Sequence, residues 1–270
     1  MKKDTQQLKS YKVLLIGDSC EDVYSYGSIN RKAFEDRPVS SGVSILNVSH
    51  IVEKPGMAKN VLKNLSALGH DIDFITNPEI IRKERFVDTD KNNKSILRVD
   101  YNDNVKPMVL SELSNIDLSV YDCIVISDYD KGFISEQIIS TIISSYDGKI
   151  FVDSKKKNLK KYENCIIKIN EYENERVEEF PDNYELVITL GSRGARWNNK
   201  NFKPAICEKV IDICGAGDTF FASFIICYLH TNDFSTAIKI ANQCAASVLK
   251  HIGNHYVSIT EFNLMLESIA

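Results

Sequence analysis

Short runs of consecutive apolar residues alternate along this chain with longer stretches in which apolar positions recur every three or four residues. The runs at 12–16, 123–126, 149–152, 165–169 and 186–190 have the length and continuity of strands buried on both faces. Between and after them, 57–68 places Val61, Leu62, Leu65 and Leu68 on one helical face, and 135–145 does the same with Ile138, Ile139, Ile142 and Ile143. Segment 220–229 is apolar all round, which predicts a buried helix, and 236–250 is amphipathic. Strand alternating with helix predicts an α/β fold, a doubly wound and mostly parallel sheet flanked by helices. Two stretches break this rhythm: 39–52, with β-branched residues and one glycine, and 85–101, containing Phe86-Val87 and Ile96-Leu97-Arg98-Val99. They predict a small antiparallel β lid outside the main sheet, with strands contributed by about 24–52 and 85–101. Such a flap can close over a crevice and exclude water, and its exposed edges can equally pair with a second subunit, so a homodimer through the lid strands is expected. No internal repeat, low-complexity tract or linker marks a boundary, so residues 1–270 are expected to form one domain.

Composition narrows the class. With 270 residues and 43% apolar content, the chain can bury a sizeable core. A formal charge of -4, with both signs interspersed, offers neither nucleic acid nor an anionic membrane a single-sign field. Seven cysteines, an odd number without a C-x-x-C pair, fit reduced thiols and a cytoplasmic location. Cys123, Cys165, Cys227 and Cys244 lie in apolar runs; Cys214 instead precedes two glycines at a helix start, where a thiol pKa can fall. The N-terminal residues 1–7 are polar, and the longest apolar run is too short to span a bilayer, so neither export nor membrane insertion is expected. His251 and His255 are four apart, but Gly253 lies between them and no third ligand is near, which argues against a metal site.

The stretch 210–220 carries the most chemistry. In Gly215-Ala216-Gly217-Asp218 the backbone is bare enough for several N–H groups to approach an anion at the start of a helix, where the helix dipole adds positive potential. Asp218 then stands where a carboxylate can accept the proton of an attacking hydroxyl while the amides stabilise a transferring phosphoryl group. The plainer alternative is a tight loop in which Asp218 only caps the helix. The polar residues at the ends of the predicted strands weigh against it. Asp18, Asp128, Asp153 and Asn170 stand at such ends, and in open α/β sheets ligands bind outside the carboxyl ends of the strands. Each alone serves equally well as a turn-former. Lys155, just past the strand ending near Asp153, can reach a phosphate or belong with Lys156 and Lys157 to a solvated lysine run.

Several motifs in this order resemble the ribokinase-like (PfkB) carbohydrate kinases over nearly the whole chain. Gly215-Ala216-Gly217-Asp218 is similar to that family's C-terminal signature. Lys54-Pro55-Gly56-Met57-Ala58-Lys59-Asn60-Val61, with Asn64 and Leu68-Gly69 beyond, is similar to the N-terminal one. Asn170-Glu171-Tyr172-Glu173 resembles its N-x-x-E motif, and Thr189-Leu190-Gly191-Ser192-Arg193-Gly194 its strand and turn beside the nucleotide. A narrower likeness, to bacterial heptose-7-phosphate kinases including the kinase half of bifunctional ADP-heptose synthases, is carried by three stretches. These are Gly17-Asp18-Ser19-Cys20-Glu21-Asp22-Val23-Tyr24, with Gly27, Arg31 and Pro38-Val39 beyond; Ser127-Asp128-Tyr129-Asp130-Lys131-Gly132; and Leu97-Arg98-Val99-Asp100.

The resemblance implies an ATP-dependent phosphotransferase acting on a sugar or sugar phosphate. Its leading case is heptose 7-phosphate phosphorylated at the anomeric hydroxyl to give heptose 1,7-bisphosphate. It implies Asp218 as general base, with Gly215, Ala216 and Gly217 as the anion hole. Asp18 and Asn60, followed by Asp22, Gly56, Arg98 and Asp128, are implied for the sugar. Lys155, Asn170, Thr189, Gly191, Gly194 and Asn242 are implied for the nucleotide, and Asn170 and Glu173 act on Mg²⁺ largely through water. For Glu173 the alternative is a surface carboxylate in the acidic stretch 171–179. A substrate phosphate would need cations, for which Arg31, Arg85, Arg98, Lys59 and Lys131 are available.

Departures from the family pattern bear on substrate choice. Met57 stands where the family usually has a second glycine, Ile213-Cys214 replaces a small or hydroxylated pair, and the segment 75–86 is too short for the usual helix. They motivate two alternatives: a kinase of another sugar, such as a fructose phosphate or ribose, and a catalytically degenerate sugar- or nucleotide-binding relative. A dinucleotide-dependent oxidoreductase is excluded, because Gly17-Asp18 lacks the G-x-G-x-x-G turn that a pyrophosphate needs.

Overall fold

The computed structural model describes residues 9–33, 43–207, 210, 213–251 and 255–268. The expectations for 1–7, Pro38, Val39, Ile211, Asp212 and Gly253, and for the side chain of Arg31, lie outside the described residues. In chain order the elements begin β1 (Lys12–Gly17), β2 (Ser19–Ala33), β3 (Val43–Met57), α1 (Ala58–Ala67), β4 (Asp71–Thr76), β5 (Ile81–Asp88) and β6 (Lys94–Tyr101). Next come α2 (Leu110–Ser114), β7 (Cys123–Asp128), α3 (Glu136–Ser145), β8 (Lys149–Ser154), β9 (Cys165–Asn170), α4 (Glu171–Asn174) and β10 (Tyr184–Thr189). The last elements are β11 (Ala195–Trp197), β12 (Lys200–Phe202), α5 (Ala216–Thr231), α6 (Phe234–Val248) and α7 (Ile259–Glu267).

The chain divides into two compact units, one of Met1–Asp18, Met57–Asn77 and Lys106–Ala270, the other of Ser19–Gly56 and Pro78–Val105. The larger holds an eight-stranded sheet in the order β12-β11-β10-β9-β8-β7-β1-β4. Strands β4, β1, β7, β8, β9 and β10 run parallel, and β11 and β12 close the far edge as an antiparallel hairpin. All six residues of β7 are buried, as continuous apolar runs in a covered parallel sheet require. Helix α5 is buried from Asp218 through Tyr228, which accounts for its lack of a polar face. Its Phe224 packs edge-on against Phe151 of β8, with ring centroids 6.2 Å apart. Ser135 caps α3 by accepting from Ile138 N, and Asp233 caps α6 through Ser235 and Thr236.

The smaller unit is a four-stranded sheet in the order β3-β2-β5-β6. The expected antiparallel pairing is present between β5 and β6, while β2 and β5 pair in parallel. Only residues 77–80 join β4 to β5, in keeping with the shortness of that segment.

Two positions in the N-terminal motif show their physical meaning in the backbone. Met57, at the position of the family's second glycine, precedes α1 with φ 55° and ψ -134°, a conformation natural to glycine and strained for a side chain. Gly56 has no room for one: a Cβ there would lie 2.3 Å from Asp22 Oδ2 and 2.6 Å from Cys20 Sγ, inside the smaller unit.

Candidate active site

The turn before α5 is shaped by Gly215, whose φ of 77° places the chain in the left-handed region that glycine adopts without strain. No side chain caps this helix, so its N-terminal potential stays available to a ligand. Asp218, the third helical residue, is buried at 9% exposure. Its Oδ2 accepts from Asn60 Nδ2 at 2.6 Å and its Oδ1 from the Tyr129 hydroxyl at 3.2 Å. A second rung ties α1 to α5, with Thr219 Oγ1 donating to Asn64 Oδ1 at 2.8 Å, while Asn64 Nδ2 donates to Asn60 O at 2.8 Å. Burial pushes the Asp218 carboxyl above its usual pKa, opposed by the Asn60 hydrogen bond, reinforced by Asp153, and opposed again by Lys168 and Lys155.

Lys168 is the functional candidate that the sequence reading missed. It sits in β9 at 3% exposure, its Nζ 2.8 Å from Asp153 Oδ2, and a Cβ built on Gly217 would lie 3.6 Å from that same nitrogen. A buried ammonium therefore adjoins the anion loop. Its signal was present as a lysine inside the apolar run Cys165-Ile166-Ile167-Lys168-Ile169, since a charge in a covered strand requires a partner. Asp153 is that partner. Burial alone would raise the Asp153 pKa, but the ammoniums of Lys155 and Lys168 hold it below the ordinary value.

Lys155 joins this group to the N-x-x-E motif. Its Nζ lies 3.4 Å from Asp153 Oδ1 and forms an ion pair with Glu173. Burial would lower its pKa, but these carboxylates outweigh it and hold the ammonium above the usual lysine range. Asn170 and Glu173 form a reciprocal capping box on α4: Asn170 Oδ1 accepts from Glu173 N and Glu173 Oε2 accepts from Asn170 N, both at 2.8 Å. The pair is thus built into the edge of the sheet and is not a loose surface carboxylate.

Asp18 and Asp128 are both fully buried. Asp18 accepts the amides of Tyr129 at 2.8 Å, Lys131 at 3.4 Å and Phe133 at 3.2 Å, so it fixes the loop that delivers the Tyr129 phenol to Asp218. Burial and the nearby Asp128 push its pKa up to about 6, against the pull of the three amides. Asp128 accepts from Lys156 Nζ and the Tyr162 hydroxyl, each at 2.5 Å, and from Asp130 N at 3.0 Å. Protein donors thus occupy both carboxylates. Asp18, Asp153, Asn170 and Asp218 are linked through Tyr129, Lys168 and Lys155 along one edge of the sheet, with Asp128 beside them on Lys156.

Besides Lys155 and Asn170, the nucleotide candidates lie on β10, the turn after it and α6. Thr189 Oγ1 contacts Ile169 O at 3.5 Å, Gly191 and Gly194 take φ of 58° and 90°, and Asn242, buried, donates to Lys203 O at 3.1 Å. In the smaller unit Asp22 pairs with Arg85 at 2.5 Å, Arg98 makes two 2.6 Å hydrogen bonds to Asp100, and Lys54 and Arg85 both lie over the Tyr24 ring. Two of the cations available to a substrate phosphate, Arg85 and Arg98, thus already hold carboxylates. Among the described residues no group of three His, Cys, Asp or Glu side chains is arranged to hold a metal, and no helix is long and apolar enough to cross a membrane.

Comparison with known proteins gives the family and the fold. Residues 86–260 match the pfkB family carbohydrate kinase profile, and the chain belongs to that family. It is an enzyme, a sugar kinase with ATP as the phosphoryl donor that the family implies. It is 27% identical to the Bifunctional protein HldE of Helicobacter acinonychis (strain Sheeba), over 94% of this chain and 66% of that one. It is likewise 27% identical to the Bifunctional protein HldE of Campylobacter fetus, over 90% of this chain and 63% of the relative. The chain thus spans just under two thirds of the length of these curated relatives. Its fold is shared with the Arabidopsis thaliana ribokinase solved with ribose and ATP, at a TM-score of 0.72 and 13% identity, covering 96% of this chain and 99% of that one. A Methanocaldococcus jannaschii nucleoside kinase of the ribokinase family superposes with a TM-score of 0.67 at 15% identity, over 97% and 99%.

Proposed function

We propose that this kinase transfers the γ-phosphoryl group of ATP to the anomeric hydroxyl of heptose 7-phosphate, with Asp218 as the general base. The observation that carries the chemistry is the Asp218 carboxylate, buried at the start of α5, aimed by Asn60 and Tyr129, and placed beside the Lys168 ammonium. The substrate rests on the three stretches that resemble heptose-7-phosphate kinases and on the relatives named HldE. Asp218 takes the hydroxyl proton as the oxygen attacks phosphorus. The amides after Gly215, with Lys168, stabilise the negative charge on the transferring group. Asn60 keeps the carboxylate in its accepting orientation. Glu173 and Asn170 suit Mg²⁺ held through water, since one carboxylate and one carbonyl oxygen at a sheet edge are the hard donors this ion takes, and when bound it neutralises nucleotide phosphate charge. We also propose that residues 1–270 act as one kinase domain whose 24–52 and 85–101 strands form the lid and the homodimer contact.

The deciding experiment is ADP release coupled to a spectroscopic readout, run with heptose 7-phosphate, fructose phosphates, ribose and other sugars. Heptose 7-phosphate is expected to give the highest kcat/KM, and a higher value for any other sugar overturns the substrate assignment. Asp218→Asn is expected to lower kcat about 10²- to 10⁴-fold with nucleotide binding unchanged, the loss typical of a general base. Turnover equal to wild type removes Asp218 from that role.

A further inference from the structure

The lysine run at 155–157 is only partly absorbed by the transfer site. A cleft of about 560 Å³ in the larger unit is walled by the loop after β8, by α4 with the residues just beyond it, and by the start of α3. Its lining includes neither Asp218, Asn60 nor Gly217, and it shares Lys155 and Glu173 with the network described above. Five cations face it, Lys155, Lys156, Lys157, Lys161 and Arg176, against the three carboxylates of Asp130, Glu136 and Glu173. Part of that charge is already matched. Lys155 holds Glu173, Lys156 holds Asp128 from behind, and Lys157 lies 3.4 Å from Glu178. Lys161 and Arg176 have no carboxylate partner among the described residues; Arg176 donates to the Tyr172 hydroxyl and lies over the Tyr172 ring, 4.9 Å from its centroid.

We propose that this cleft is an anion site for a small polyphosphorylated molecule, next to the phosphoryl-transfer site and centred on Lys161 and Arg176, which that site does not use. The volume falls within the range of small-molecule sites. A guanidinium held against an aromatic side chain is a preorganised fork for phosphate oxygens, and ammoniums from a second segment can neutralise a further phosphoryl group. The cations come from two segments, the loop after β8 and the residues just beyond α4, so the cleft offers donors to more than one phosphoryl group.

Inorganic pyrophosphate is the probe. Calorimetric titration of the full chain, saturated with a non-hydrolysable ATP analogue so that the transfer site is filled, is expected to show one pyrophosphate bound per chain. Affinity is expected to fall about tenfold in each of Lys161→Glu and Arg176→Glu, as reversal of one partly exposed charge predicts, with unchanged melting of the unliganded proteins. Asp218→Asn is expected to bind as wild type does; because no step needs turnover, this outcome is independent of the sugar and of catalysis. Absence of binding under the analogue, or wild-type affinity in both charge-reversed variants, overturns the proposal.

Discussion

At the scale of single residues, the base proposed here is a carboxylate whose affinity for protons is set by what surrounds it. Asp218 is buried, which raises its pKa, and the Asn60 hydrogen bond to its charged form restrains the rise, while the Tyr129 hydroxyl donates to the other oxygen. The proposed base must be unprotonated to act, so activity should be lost as pH falls through this pKa. Tyr129→Phe removes one donor to the carboxylate and keeps the ring under Lys155. The acid limb of the kcat profile should therefore move to higher pH, with little change on the alkaline side. An unmoved limb assigns the phenol to packing alone. Lys168→Met tests the buried ammonium: kcat should fall about 10²- to 10³-fold, as when one preorganised donor to a transferring charge is lost. Asp218, Asn60 and the anion loop were legible because they lie in contiguous motifs. Lys168 was not, because its meaning depends on Asp153 of the neighbouring strand and on the distant Gly217 loop, a relation that only the parallel register of β8 and β9 creates.

At the scale of elements, the strand-to-helix junction at Met57 carries the clearest cost. A side chain at φ 55°, ψ -134° stores about 1–3 kcal/mol of strain, while burying the Met57 side chain at 4% exposure returns a similar amount. Truncation separates the two contributions. Met57→Ala loses the burial and keeps the strain, whereas Met57→Gly loses both. The glycine variant should therefore be the more stable of the two by about 1 kcal/mol, read from urea midpoints at equal m-values. Equal stabilities would show that the junction relaxes and stores nothing. The central strands and the helices α1, α3, α5 and α6 were readable from apolar runs and periodicity, since each buries a continuous stripe. Strand β4 escaped because Asp71-Ile72-Asp73-Phe74 alternates as an edge strand does. The hairpin of β11 and β12 escaped because three-residue strands leave no period to detect.

At the scale of the whole molecule, exposed apolar side chains gather on the smaller sheet. Among the described residues of that unit, Val43, Val48 and Ile51 on β3 and Ile96 and Leu97 on β6 are each 40% or more exposed. These two strands are the edges of the four-stranded sheet, with backbone groups on their outer sides that no strand of their own unit pairs. An isolated chain would leave both the apolar surface and the edges in water, an arrangement that proteins rarely keep without a partner. A second copy of the same sheet, related by one two-fold axis, can cover the apolar side chains and pair one of these edges with its symmetry mate. Sedimentation equilibrium at micromolar concentration should therefore give twice the mass of 30.6 kDa. Val48→Lys combined with Leu97→Lys should shift the protein to monomer without lowering the melting temperature of the larger unit, because neither residue belongs to its core. A wild-type protein that sediments as a monomer across that range overturns the proposed contact between copies.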